Sequence, residues 1–175
     1  MILNDSEQKL ELQYFMDMKK ILIIILLNVY LSASSVVDID DKVKTAQEQN
    51  KEIMLYFHIP NCSYCQAMLD ENFKDTEILE EIKQNFILID LYAKKDNRVK
   101  YRDFKGSVKE FAKHMGAIAY PATIYLDRDE KIVYRSIGYR NSGEHLMELL
   151  FISSKSYNTL SLEDFTIKTE FERDD

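Results

Sequence analysis

The chain has 175 residues, a net charge of −7, 46% hydrophobic and 30% charged residues, which suits a single soluble domain with an ordinary core. The negative balance excludes a sequence-blind grip on nucleic-acid phosphates. Four glycines and two prolines are too few for a many-turned β-sandwich, and the two cysteines, set close together, exclude a scaffold of structural disulfides.

Met18–Lys19–Lys20 opens the first recognisable element. It is followed by the apolar run Ile21–Leu31 and by Ser32, Ala33, Ser34 and Ser35, the order of a secretory signal peptide. The signal is predicted over 18–35, with cleavage after Ala33 or Ser35. An uncleaved anchor is the second reading, but a span needs about 20 apolar residues, and this run is shorter and interrupted by Asn28. Residues 1–17 carry mixed charge and read as an extension ahead of a true initiator at Met18. Either reading exports the following domain, 36–165, and leaves 166–175 as an acidic tail.

Behind Asp38 as N-cap, Ile39, Val43 and Ala46 stand at helical spacing. Ile53–Ile59 is a continuous apolar run, as in a strand buried on both faces, and Pro60 and Asn61 break it. A helix is predicted from Cys62 to about Phe73 with Met68 and Leu69 inward, then a second over Thr76–Asn85 with Ile78, Leu79 and Ile82 inward. Phe86–Leu91 is another buried strand. The stretch from Tyr92 to Gly106, rich in cations (Lys94, Lys95, Arg98, Lys100, Arg102, Lys105), is expected to be an exposed loop, solvated or docking a partner. Ser107 caps a helix through His114 that Gly116 ends. Pro121 precedes the strand Ala122–Leu126, Asp127–Glu130 turns the chain into Lys131–Ser136, and Gly138 ends that strand. Gly143–Ser153 is the last long helix, with Leu146, Leu149 and Leu150 on its core face. From Lys155 onward, Tyr157, Leu160, Leu162 and Phe165 precede an acidic end that is expected to fray. This order gives an α/β fold of three layers, a mixed central sheet flanked by helices.

Cys62 and Cys65, spaced i and i+3 at a helix start, are able to close a disulfide within one turn. The free N–H groups and partial positive charge of the helix start stabilise a thiolate at Cys62 and make it the nucleophile. Cys65, deeper and one turn on, is placed to resolve a mixed disulfide. A zinc site needs four ligands, and there is no second cysteine pair, while His58, His114 and His145 are scattered. No metal is therefore expected, and no cofactor beyond the redox-active disulfide. Tyr120–Pro121 is a second landmark. A proline that merely starts a strand is the plain reading. A cis bond there would offer backbone beside the cysteines for β-type pairing with an extended substrate.

Together these features resemble the thioredoxin-like superfamily: the strand Met54–Phe57, Cys62–Cys65 at a helix start, Tyr120–Pro121 before a strand, and Gly138 after a hairpin. The resemblance covers roughly Val36 to Phe165. Within the superfamily it is similar to the periplasmic SoxW-like thioredoxins of sulfur-oxidation systems, through Met54-Leu55-Tyr56-Phe57, Asn85-Phe86, Gly138-Tyr139 and Tyr157…Leu162…Phe165. That resemblance implies a monomeric periplasmic thiol–disulfide oxidoreductase. Its partners would be protein thiols and disulfides and an electron-donor protein such as a membrane thiol reductase. Three departures follow. Asn61-Cys62-Ser63-Tyr64-Cys65 stands for the usual Trp-Cys-Gly-Pro-Cys, and the chain has no tryptophan. Tyr56 replaces the buried acid six residues before the first cysteine, so proton transfer falls to His58, Glu71 or water. Tyr120 is larger than the usual Thr or Val, and narrows the substrate groove or shields the thiolate. A reductase is the first expectation, an oxidant or isomerase of folding proteins the second, and a non-catalytic metal- or partner-binding module the third.

Overall fold

A computed structural model of the chain describes residues 13–14, 16–20, 36–94 and 97–173. Residues 21–35 of the predicted signal, and most of 1–17, lie outside the described residues. The chain divides into a unit 1–34, in which residues 13–14 and 16–20 are helical, and a unit 35–175 that holds everything below. Among the described residues, no helix is long and apolar enough to cross a membrane.

Strand β1 (Val36–Asp38) runs into helix α1 (Ile39–Gln49), whose N-cap Asp38 accepts from the amides of Asp40 and Asp41. Ile39, Val43 and Ala46 form the buried stripe of α1. β2 (Glu52–His58) is buried along its whole length. It is followed by α2 (Ser63–Glu71), a single 3-10 turn (Asn72–Lys74), α3 (Thr76–Asn85) and β3 (Phe86–Tyr92). This crossover brings β3 parallel to β2, with Tyr56 opposite Asp90 and His58 opposite Tyr92. After α4 (Val108–Met115), which Ser107 and Glu110 close with a reciprocal cap, β6 (Ala122–Leu126) and β7 (Ile132–Ile137) complete an antiparallel edge. The sheet order is β3-β2-β6-β7.

The alternation of β2 divides the core between the two faces of this sheet. Ile53, Leu55 and Phe57 pack with α1 and α4 residues such as Val43 and Phe111. On the other side Met54 packs with Ile78 and Ile82 of α3 and with Leu149 and Ile152 of α5 (Ser142–Ser153). Helices thus cover both faces, and the three-layer α/β reading holds.

Four expectations are corrected in detail. The cation-rich stretch is not a loop but carries a hairpin, β4 (Arg98–Tyr101) and β5 (Phe104–Ser107), which joins β1 in a second, three-stranded sheet of order β1-β4-β5. Val99 and Tyr101 are buried there. Lys100 is held by Asp38 at 2.8 Å and Asp40 at 3.4 Å, and Arg102 by Glu130 at 3.1 Å. Leu79, predicted inward, is 44% exposed, because only Ile78 and Ile82 of α3 point into the core. The core face of α5 is His145, Glu148, Leu149, Phe151 and Ile152, with Leu146 half-buried against the same cluster as expected, while Leu150 is half-buried outside it. The segment expected to fray forms a 3-10 turn (Ser156–Asn158) and a helix, α6 (Leu162–Arg173). Ser161 caps it by accepting from the Asp164 amide at 3.1 Å, and Phe165 packs 5.5 Å from the Phe151 ring.

Candidate active site

β2 points the chain at the site, and the turn Pro60–Asn61 redirects it, with Asn61 in the left-handed region at φ 56°. Cys62 is the N-cap of α2. Its extended backbone (φ −110°, ψ 104°) lets its Sγ accept from the Cys65 amide at 3.1 Å. Cys62 and Cys65 are joined as a disulfide with Cα atoms 5.2 Å apart. The two sulfurs are not equivalent: Cys62 is half-buried, whereas Cys65 is 2% exposed. An attacking thiolate from another molecule therefore reaches Cys62 first. The same helix start that holds the Cys62 sulfur in an amide's path stabilises negative charge on it as a leaving group.

Tyr56 occupies the position where an acid was the alternative. It is 1% exposed, and its Oη donates to the Cys65 carbonyl at 3.2 Å. Burial, with a smaller contribution from Asp90, pushes its phenol far above the usual tyrosine range, so it remains a neutral donor. Tyr56 thus positions the backbone of the second cysteine and does not exchange protons with it. Tyr56→Phe removes this second hydrogen bond to the helical Cys65 carbonyl and is expected to lower stability by about 1 kcal/mol. Urea unfolding of the oxidised protein measures this, and an unchanged midpoint would remove the positioning role.

An open cavity of about 560 Å3 is walled by both cysteines together with His58, Pro60, Gln66 and Tyr92. His58, a candidate for proton transfer, lines the same cavity as the two cysteines. Its ring is stacked between Tyr56 (5.3 Å) and Tyr92 (4.7 Å), and its Nε2 lies 2.6 Å from Asp90 Oδ1. Glu71 is not among the residues that wall the cavity. It stands six residues beyond Cys65, about 9 Å along the helix, where its carboxylate accepts from the Tyr139 hydroxyl. The Tyr139 ring lies 6.0 Å from that of Tyr64, which is 65% exposed beside the disulfide.

The Tyr120–Pro121 peptide bond is cis. Because Ala122 pairs with Phe57, Pro121 falls level with His58, at the end of the sheet from which the cysteine turn departs. The Pro121 carbonyl accepts from the Gly138 amide at 2.8 Å, and Tyr120 is half-buried against the first core cluster. Among the described residues, no three His, Cys, Asp or Glu side chains gather to hold a metal. Sequence reasoning missed Asp90 and Tyr92. Asp90 carried a signal, as the lone charge within the apolar run Phe86–Leu91.

A cysteine pair opening a helix at the end of a central strand, with a cis-proline strand alongside, defines a thioredoxin-like domain. A family model described as a thioredoxin-like domain matches residues 39–151, and the chain belongs to that family. Among solved structures, a thioredoxin-fold protein from Helicobacter pylori superposes with a TM-score of 0.56 at 23% identity, covering 74% of this chain and 92% of that one. A thioredoxin from Thermus thermophilus gives 0.53 at 22% identity, covering 67% and 85%. A putative disulphide-isomerase from Bacteroides thetaiotaomicron gives 0.54 at 19% identity, covering 67% and 88%. Mouse anterior gradient protein 3 is 39% identical over 46 residues, 26% of this chain, and the match spans only 28% of that protein's length.

Proposed function

We propose that the protein is an exported reductase, of the SoxW-like kind, that passes electrons to disulfides of extracytoplasmic partner proteins. The observation that carries the roles is the asymmetry of the pair: a reachable Cys62 at the N-cap and a Cys65 that is 2% exposed beneath it. In the dithiol form, the Cys62 thiolate attacks a partner disulfide and one partner sulfur leaves. Cys65 then attacks Cys62, the internal disulfide forms, and the second partner sulfur leaves. Two electrons have passed to the partner. The backbone at Tyr120–Pro121 is suited to pair with the extended partner segment. Export is supported by the basic–apolar–small order of 18–35. Outside the cytoplasm the pair must be re-reduced by a dedicated donor, such as a membrane thiol reductase.

A Cys65→Ser variant stalls the cycle after the first attack. It is expected to accumulate mixed disulfides to exported proteins through Cys62, released by dithiothreitol and absent when Cys62 is also replaced. Trapping no partner would remove this reading. Equilibration of the wild-type pair with glutathione tests the direction. A potential at or below that of glutathione fits a reductase, and a strongly oxidising one overturns it in favour of an oxidant of folding proteins.

A further inference from the structure

The resolving step needs a base. An ordinary thiol, with a pKa of about 8.5, is mostly protonated at neutral pH, and Cys65 is 2% exposed, shut away from bulk water. Tyr56 does not serve, because its hydroxyl is committed to the Cys65 carbonyl. Among the described residues that wall the cavity shared by the two sulfurs, His58 alone carries an imidazole, a ring with one nitrogen to accept a proton and another to donate one.

We infer that His58 and Asp90 form a proton relay for Cys65, taking the place of the missing buried acid. This deepens the assignment of Cys62 and Cys65 above and rests on it. Asp90 is held opposite Tyr56 by the parallel β2–β3 register, which puts its carboxylate 2.6 Å from His58 Nε2. An ionised carboxylate only accepts, so Nε2 carries the hydrogen and Nδ1 is the basic nitrogen. Stacking between Tyr56 and Tyr92 holds the plane of the ring. The His58 side chain is 11% exposed and that of Asp90 64%, so the pair leads from the cavity wall to solvent. The side chains in contact with His58 are Tyr56 on its own strand and Asp90 and Tyr92 on β3, and both cysteines and Gln66 line the same cavity. The residue level with it beyond β6 is the uncharged Pro121.

In the step, the Cys65 thiol gives its proton to His58 Nδ1, directly or through one water. The Cys65 sulfur attacks the Cys62 sulfur, and the Cys62–Cys65 bond forms as the bond from Cys62 to the partner breaks. The electron pair leaves on the partner sulfur. The imidazolium, steadied by Asp90, returns the proton to that leaving thiolate or to solvent.

The test mixes the reduced full-length chain with oxidised glutathione in a stopped-flow instrument from about pH 5 to pH 9, a range that brackets imidazole titration. The first phase is mixed-disulfide formation at Cys62, and the second is ring closure by Cys65. His58→Gln is expected to slow closure at neutral pH about a hundredfold and to change its pH profile. Asp90→Asn, at an exposed position, is expected to slow it about tenfold. Both variants keep the first phase near the wild-type rate. Closure with wild-type rate and pH profile in the two variants overturns the relay, as does equal slowing of both phases. Absence of a first phase in the wild type removes the Cys62 assignment, and the relay with it.

Discussion

Cys62→Ser is expected to lower catalysed disulfide reduction by about a thousandfold or more, the scale seen when a nucleophile acting as part of a unit is removed. The thiolate is the reacting species, and a serine hydroxyl does not ionise near neutral pH. The remaining thiol, Cys65, is 2% exposed and sits inside the first turn of α2 instead of at its cap. Serine is itself a favoured N-cap, so the helix start survives the change. The loss therefore reports chemistry and not unfolding. Dithiothreitol-driven reduction of insulin, with circular dichroism as the control for fold, makes the measurement. Activity within tenfold of wild type would mean that exchange does not begin at Cys62. Cys65→Ser differs in kind, since it completes one attack and then stalls.

The second large effect concerns stability against pH. His145 is completely buried on α5, where desolvation lowers its pKa from 6.5 to about 4. Its Nδ1 accepts from Asn72 Nδ2 at 3.2 Å, and its Nε2 has no partner among the described residues. Below pH 6.5 the unfolded chain protonates this imidazole while the folded protein does not. The stabilisation it represents is thus present above pH 6.5 and is lost as pH falls towards 4. The loss comes to about 3 kcal/mol in total. Glu52 and Glu148, whose carboxyls burial pushes up, act in the opposite sense at the acidic end. The quantity to read is therefore the difference between wild type and His145→Gln in urea unfolding at neutral and mildly acidic pH. Glutamine still accepts from Asn72 but does not titrate, so the variant is expected to lose most of the acid sensitivity between pH 6.5 and 4. Parallel stability curves for the two proteins would show that His145 is not the titrating group.

The elements that the sequence announced are those whose signals are local and long. Asp38 with Ile39, Val43 and Ala46 marks both the cap and the buried stripe of α1, and Ser107 with Glu110 marks the start of α4. The hairpin β4–β5 escaped because each strand has only four residues and its inward Val99 and Tyr101 alternate with cations. Its turn also lacks the usual Asn-Gly signal, and Arg102 takes the left-handed position at φ 52°. The last helix was hidden because its apolar residues serve one patch around Phe151 and do not form a long stripe. At the site, the cysteines and Tyr120–Pro121 were legible from spacing and type. The Asp90 partner of His58 was not, since the two stand 32 residues apart and only the β2–β3 register makes them neighbours. Glu71 was the other candidate for proton transfer, but α2 carries it out of the cavity that the two cysteines line.

Asn72 gives the site helix a fixed far end. It is completely buried where α2 passes into its 3-10 turn. Its amide donates to the Arg140 carbonyl at 2.9 Å and to His145, while its oxygen accepts from Ser142 at 3.2 Å. A partner pulling on a mixed disulfide at Cys62 loads α2 at its opposite end. The helix then behaves as a short lever clamped at its base, with the clamp belonging to α5 and the exit of β7. Under the proposed cycle, such a load falls on the turn around Asn61 and the first turn of α2, away from the anchored base at Asn72.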